Sequence, residues 1–199
     1  MNTKLKLGMI ICTAAILTAC GGGGGSSVNT GSNPLQKYEN TYYICDQHTK
    51  TTATIHATNT NSMTLTMVED IYQNNNCTGP IVGTYRLSQA ITATYQNQTS
   101  ANFPPVTIMP SSDTVDRLAV TFPGGTAQLT GSGVKGSCVN YTGGQVCYDN
   151  LSMPSTNTTG AAYLNGNYLV MFSLENGVLA ADGIYSKDPS FNSNMLVAD

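Results

Sequence analysis

Apolar and polar side chains alternate one by one along much of this chain, and that period of two commits it to strands. Ala53, Ile55 and Ala57 alternate with Thr52, Thr54, His56 and Thr58. Met63, Leu65 and Met67 alternate with Thr64 and Thr66, and Leu118, Val120 and Phe122 with Ala119 and Thr121. Tyr85, Leu87, Ile91 and Ala93 share one parity, and Tyr168, Val170 and Phe172 continue the theme. Successive strand residues point to opposite faces, so each set marks a half-buried strand. A slip of one residue would expose a whole set, so Ala53/Ile55/Ala57, Met63/Leu65/Met67, Leu87/Ile91 and Val170/Phe172 are expected to face one common interior. Thr, Tyr, Val and Ile also suit a pleated surface.

The punctuation fits. Asn59 to Asn61, the cluster Asn74-Asn75-Asn76-Cys77-Thr78-Gly79-Pro80, and the pairs Gly124-Gly125, Gly143-Gly144 and Asn165-Gly166 read as turns. No stretch has helical spacing. The chain is therefore expected to be all-β, a single antiparallel meander of about eight to ten strands. Their spans would be 41–47, 51–58, 62–73, 81–94, 117–122, 126–133, 145–151, 160–164, 167–173 and 179–186. The segment 96–113, with Pro104, Pro105 and Pro110, reads as a long connection or edge excursion. A small lipocalin-like barrel is the expected architecture, with a two-sheet β-sandwich as the alternative.

The N-terminus carries an export signal. Lys4 and Lys6 precede an almost wholly apolar run from Leu7 to Ile16, and Leu17-Thr18-Ala19-Cys20 follows. The run is too short to span a bilayer, which takes about 20 apolar residues. Leu17-Thr18-Ala19-Cys20 resembles the lipobox of bacterial lipoproteins. The resemblance implies cleavage before Cys20, diacylglycerol on its sulfur and a lipid-anchored mature chain. Gly21, where an aspartate would favour inner-membrane retention in that family, implies the outer membrane. The expected organisation is a signal peptide at 1–19, a lipidated Gly/Ser/Asn tether at 20–36 and an antiparallel β-domain at 37–199. Removal of Lys4 and Lys6 leaves six of the eight basic residues against eleven acidic ones, a charge of about −5. With no basic stripe, nucleic acid is not an expected partner.

Cys45, Cys77, Cys138 and Cys147 remain after Cys12 leaves with the signal and Cys20 takes lipid. An even number in an exported chain reads as two disulfides, with three pairings open. Cys45–Cys77 and Cys138–Cys147 are favoured because each closes a local loop. The spacings, without a C-x-x-C pair, do not suit zinc. A second likeness covers the first half of the domain. Tyr42-Tyr43-Ile44-Cys45, with Tyr72 and Asn74-Asn75-Asn76-Cys77-Thr78-Gly79 some thirty residues on, resembles small β-rich proteobacterial lipoproteins. That likeness implies fold and disulfide pairing, and no activity.

Candidate chemistry is sparse. His48 and His56 are the only histidines. Asp46 and His48 have an i, i+2 spacing that could hold a metal. A hairpin turn at Thr49-Lys50 would set His48 opposite Thr51 and His56 opposite Tyr43, far apart on the ladder. Glu69-Asp70 suggests paired carboxylates, but adjacent strand residues face opposite ways. Gly131-Ser132-Gly133 lacks the flanks of a nucleophile elbow. The eleven tyrosines suit strand packing, or contact with glycans and proteins. The expected function is a non-enzymatic, membrane-anchored cell-envelope domain without catalytic residues, metal or cofactor. It would be a monomer whose partner is a small apolar ligand or an envelope protein. The alternatives are a periplasmic hydrolase or isomerase, and an adhesive, glycan-binding module.

Overall fold

A computed structural model describes residues 33–59, 61–149 and 151–196. The expected signal at 1–19, the lipid site Cys20 and most of the expected tether lie outside the described residues. A 3₁₀ turn, Gln36–Tyr38, precedes fourteen strands among the described residues. They are β1 (Asn40–Asp46), β2 (Thr49–Ala57), β3 (Ser62–Asn74), β4 (Thr78–Leu87), β5 (Ile91–Asn102), β6 (Ser112–Phe122) and β7 (Gly125–Thr130). Then come β8 (Val134–Lys135), β9 (Cys138–Tyr141), β10 (Gly144–Cys147), β11 (Ser152–Met153), β12 (Thr156–Asn165), β13 (Tyr168–Glu175) and β14 (Val178–Ser186).

Eight of these close into a ring. β1, β2, β3, β5, β6, β12, β13 and β14 pair in that order, every pair antiparallel. Tyr43 opposite Ser186 joins β14 back to β1. The thirteen-residue β3 makes closure possible by changing partners along its length. Ser62 to Leu65 pair with β5, while Val68 to Asn74 pair with β4. β4 pairs onward to β7 and β7 to β11, so they form a wing beside the ring. A separate sheet, β8-β9-β10, packs on that wing through Val139 against Ile71 and Val82.

Alternate residues of the ring strands fill its interior. Tyr42, Ala53, Ile55, Met63, Leu65, Ile91, Ala93, Leu118, Ala162, Leu169 and Tyr185 form one buried cluster. Leu35 and Tyr38 enter it from the 3₁₀ turn, both with no exposed surface. Packing therefore reaches back to Leu35, inside the stretch read as tether.

A second cluster lies on the other face of β12, β13 and β14. Ala161, Val170, Phe172 and Ile184 pack there with Ala101, Phe103, Val115 and Phe191. Its cover is the distal half of the β5–β6 hairpin. A bulge between Tyr95 and Asn97 bends β5 there, as an extra residue in one strand does. Tyr163 donates from its hydroxyl to Asp113 Oδ2 at 2.7 Å, and Asn165 Nδ2 donates to Ile108 O at 2.8 Å. Both bonds pin this flap to β12.

The ring bears out the all-β, antiparallel reading, and four details correct it. The strands number fourteen rather than eight to ten, because the insertions are built of very short ones. Span 81–94 is two strands, broken at Ser88-Gln89-Ala90. Span 96–113 is half strand, since β5 runs to Asn102 and β6 starts at Ser112. Its prolines fall in the loop between them. Val170 and Phe172 belong to the second cluster, not the interior. Leu169-Val170-Met171-Phe172 is apolar at every position, so period two could not say which parity faced inward.

Candidate functional site

The two disulfides are Cys45–Cys77 and Cys138–Cys147. The first ties the end of β1 to the β3–β4 turn, where Asn76 and Cys77 both adopt positive φ. The C-terminal segment docks on it: Cys45 N donates to Phe191 O at 3.0 Å, and Asn192 Nδ2 reaches Cys45 Sγ at 3.7 Å. The second joins directly opposed residues of β9 and β10. The β1–β2 turn falls at Gln47-His48, since Asp46 pairs with Thr49 and Gln47 has φ 54°. This corrects the expected register: His48 lies in the turn, Tyr43 pairs with Thr52 rather than His56, and His56 lies beyond the last β1–β2 pair, Asn40 with Ile55. His48 stacks on Tyr141 at 3.9 Å between centroids. His56, exposed near the far end of β2, is not beside it. Asp46 accepts from Ser193 Oγ at 3.1 Å. Among the described residues, no three His, Cys, Asp or Glu side chains converge as a metal site.

The barrel's polar centre involves residues that the sequence reading passed over. Asp116 is 2% exposed on the inward face of β6. Its Oδ2 accepts from Tyr38 Oη at 2.7 Å and pairs with Lys37 Nζ at 2.7 Å; its Oδ1 accepts from Gln98 Nε2 at 3.1 Å. Tyr38 Oη also lies 2.8 Å from Ala162 O. Burial pushes the Asp116 carboxyl up, but the bonds from Lys37, Tyr38 and Gln98 and the Lys37 charge outweigh it, and the pKa lies below the usual carboxylate range. Burial first, then Asp116, raises the Tyr38 phenol. This cluster locks the 3₁₀ turn into the barrel. The signal was legible: Asp116 shares parity with Leu118, Val120 and Phe122, so a charge occupies an inward position.

Glu69 and Asp70 face opposite sides, as the alternation required. Glu69 Oε2 accepts from Tyr148 Oη at 2.8 Å, while Asp70 Oδ1 accepts from Thr84 Oγ1 at 2.7 Å. Tyr148 stacks flat on Tyr85, with centroids 4.2 Å apart. Burial raises the Glu69 carboxyl, partly countered by Tyr148. Burial, then the Glu69 charge, raises Tyr148, Tyr85 and Tyr185. The group is one carboxyl among phenols, without a paired base or nucleophile. Ser132 lies in the turn between β7 and β8.

Open space lies elsewhere. Leu87, Phe122, Pro123 and Met153 line a space of about 10 Å³ beside the barrel, room for about one water molecule. A cleft of about 250 Å³ opens between the flap and the β13–β14 hairpin, outside the ring. Thr99, Ser100, Ala101, Asn102 and Arg117 line one side, and Leu174, Gly177, Val178 and Leu179 the other. Val178 is 68% exposed. Arg117 Nε is buried without an acceptor among the described residues. Asn176 and Gly177, both at positive φ, form the hairpin tip. That Asn-Gly pair between two strands was a readable signal the sequence reading did not use.

No protein-family model, curated protein or solved structure matches this chain.

Proposed function

We propose that this chain is an exported lipoprotein of the bacterial envelope, anchored through Cys20, whose β-domain is a non-enzymatic binding module. The observation that carries the binding half is the location of space. The barrel interior is occupied by its own side chains and by Leu35 and Tyr38, whereas the larger cleft lies outside, under the flap. The domain thus works as a rigid scaffold that presents an outer surface, and this differs from a barrel holding an apolar ligand inside. The perturbed acids serve packing: Asp116 fixes the 3₁₀ turn and Glu69 holds Tyr148. Export is supported by Lys4, Lys6 and the apolar run, and by two disulfides, which persist in oxidising compartments. Anchoring is supported by Leu17-Thr18-Ala19-Cys20. Diacylation there would hold the protein stably, since two chains anchor where one is marginal.

Metabolic labelling with palmitate tests the anchor. The full chain should incorporate label and sediment with membranes, and Cys20→Ala should do neither. Label in Cys20→Ala at the level of the unmodified chain would overturn the reading.

A further inference from the structure

We infer that the outer cleft binds a small amphiphile through an oxyanion head, carboxylate or phosphate, held by Arg117. This rests on the binding-module reading and gives that module its ligand chemistry. Arg117 is one of only two arginines, in a chain where acids outnumber bases. A guanidinium has five N–H donors in a planar fork and no acceptor, a geometry that matches an oxyanion with two parallel bonds. The Arg117 Nε is buried without an acceptor among the described residues, so no protein partner holds this guanidinium, which lines the cleft.

Three nearby acids are engaged elsewhere, and Glu175, beside Leu174, is exposed at the end of β13. Asp116, next in sequence, faces the barrel interior with Lys37, Tyr38 and Gln98. Asp113, on the same face of the flap, accepts from Tyr163 Oη and from Thr114 N. Asp182 is held by Ser173 Oγ at 2.7 Å. In register, Arg117 faces Asn97 on one side and Ala161 on the other, neither of which offers a charge.

The rest of the cleft specifies the other end of the ligand. Leu174, Val178 and Leu179 give an apolar wall, and Val178 is exposed with nothing over it. Thr99 shares the face of β5 that Arg117 and Val115 share on β6, so its hydroxyl is on the side of the head. The cleft's 250 Å³ lies just under the range of drug-sized sites, about 300–1,000 Å³, so it suits one short chain and not a bulky lipid. An oxyanion at Arg117 with a short alkyl arm over Leu174 and Val178 satisfies both walls at once.

The test is an NMR titration of the chain from residue 20 onward, with Cys20→Ser to avoid acylation. All described contacts lie within 33–196 and are retained. Octanoate and octyl phosphate, below their micellar concentrations, are the probes, and octanol is the neutral control. Either oxyanion should shift the amides of Ser100, Arg117 and Val178. Arg117→Gln should weaken that binding about tenfold or more, the worth of a charge-assisted bond. Octanol should bind weakly and be indifferent to Arg117→Gln. Val178→Asp, at an exposed position, should also weaken both oxyanions, and it decides the matter if Arg117→Gln fails to fold. Shifts outside the cleft, shifts that survive both variants, or none with either probe would overturn the assignment. A silent cleft on a normally acylated protein removes this inference alone, whereas loss of labelling at Cys20 removes the anchored reading and leaves the cleft standing.

Discussion

Two tyrosines inside the barrel share burial but not bonding, and the difference sets what each contributes. Tyr38 and Tyr42 are both without exposed surface. Tyr38 Oη has Asp116 and Ala162 as partners, whereas Tyr42 Oη has none among the described residues, and burial pushes its phenol up to about 12. Bonds to charged groups are worth about 1.5–3 kcal/mol, while an unpaired buried hydroxyl is a liability. Tyr38→Phe should therefore destabilise by about 2 kcal/mol, and Tyr42→Phe should be neutral or stabilising. Urea unfolding of the two variants checks this, and equal losses would contradict the assigned partners. Glu69 gives a pH signature. Its pKa is raised by burial in the folded state, so the fold favours the protonated form. That contribution is complete below the unfolded carboxyl value, about 4.3, and is lost as pH rises through the folded value. Glu69→Gln keeps an acceptor for Tyr148 and cannot ionise. It should raise Tm at pH 7 and leave it nearly unchanged at pH 4; a gain of equal size at both would show that ionisation is not the cause.

At the scale of elements, the docking of β8–β10 on the wing depends on a missing side chain. Val139 packs directly over Gly83 of β4, and a Cβ at position 83 would overlap the Val139 methyls. Overpacking of this kind costs about 1–3 kcal/mol. Gly83→Ala should destabilise by that amount, and Val139→Ala in the same chain should recover part of it, although each is harmful alone. A double-mutant cycle measures the coupling; purely additive losses would mean that the two sites do not touch. Such an insertion is also where sequence reading reached its limit. Long strands with one wet face, such as β2 and β3, announced their spans and inward parity through Ala53, Ile55, Met63 and Leu65. Two-residue strands such as β8 and β11 carry too little pattern to register. β12 to β14 are apolar on both faces because the flap covers the outer one, so their alternation disappears. The cysteines were legible because both bridges close local loops. The cleft was not, because it arises where a bulge near Asn97 folds one hairpin over another, and nothing local in Arg117 announces that its neighbours' carboxylates point elsewhere.

For the molecule as a whole, the decisive feature is that the barrel is closed by its own chain. Antiparallel pairing that passes over β4 and β7–β11 brings β14 back to β1, and residues just before β1 fill the space that closure creates. Leu35 and Tyr38 reach that space from the 3₁₀ turn, held by the Tyr38–Asp116 bond and by Lys37. Asn33 fastens the approach, with its Nδ2 3.3 Å from Ser62 O and its Oδ1 accepting from Leu35 N at 2.9 Å. The first described residue is thereby tied to the start of β3, beside the β2–β3 turn. Truncating the plug separates packing from scaffold. Leu35→Ala should cost about 2–5 kcal/mol and Tyr38→Ala about 3–5 kcal/mol, the range for large-to-small changes in a core. Because the two residues share one cavity, the double variant should lose less or more than the sum. If the disulfides and eight-strand closure keep the ring intact, Leu35→Ala should also bind a hydrophobic dye that the unmodified chain excludes, since an emptied apolar cavity stays dry and accepts apolar guests, whereas the space left by Tyr38→Ala is lined by Asp116 and should take up water. Retained strand signal in circular dichroism together with new dye fluorescence is the expected result. Dye binding of equal strength by the unmodified chain would mean that the interior is already open, and would return the barrel itself to consideration as the binding site.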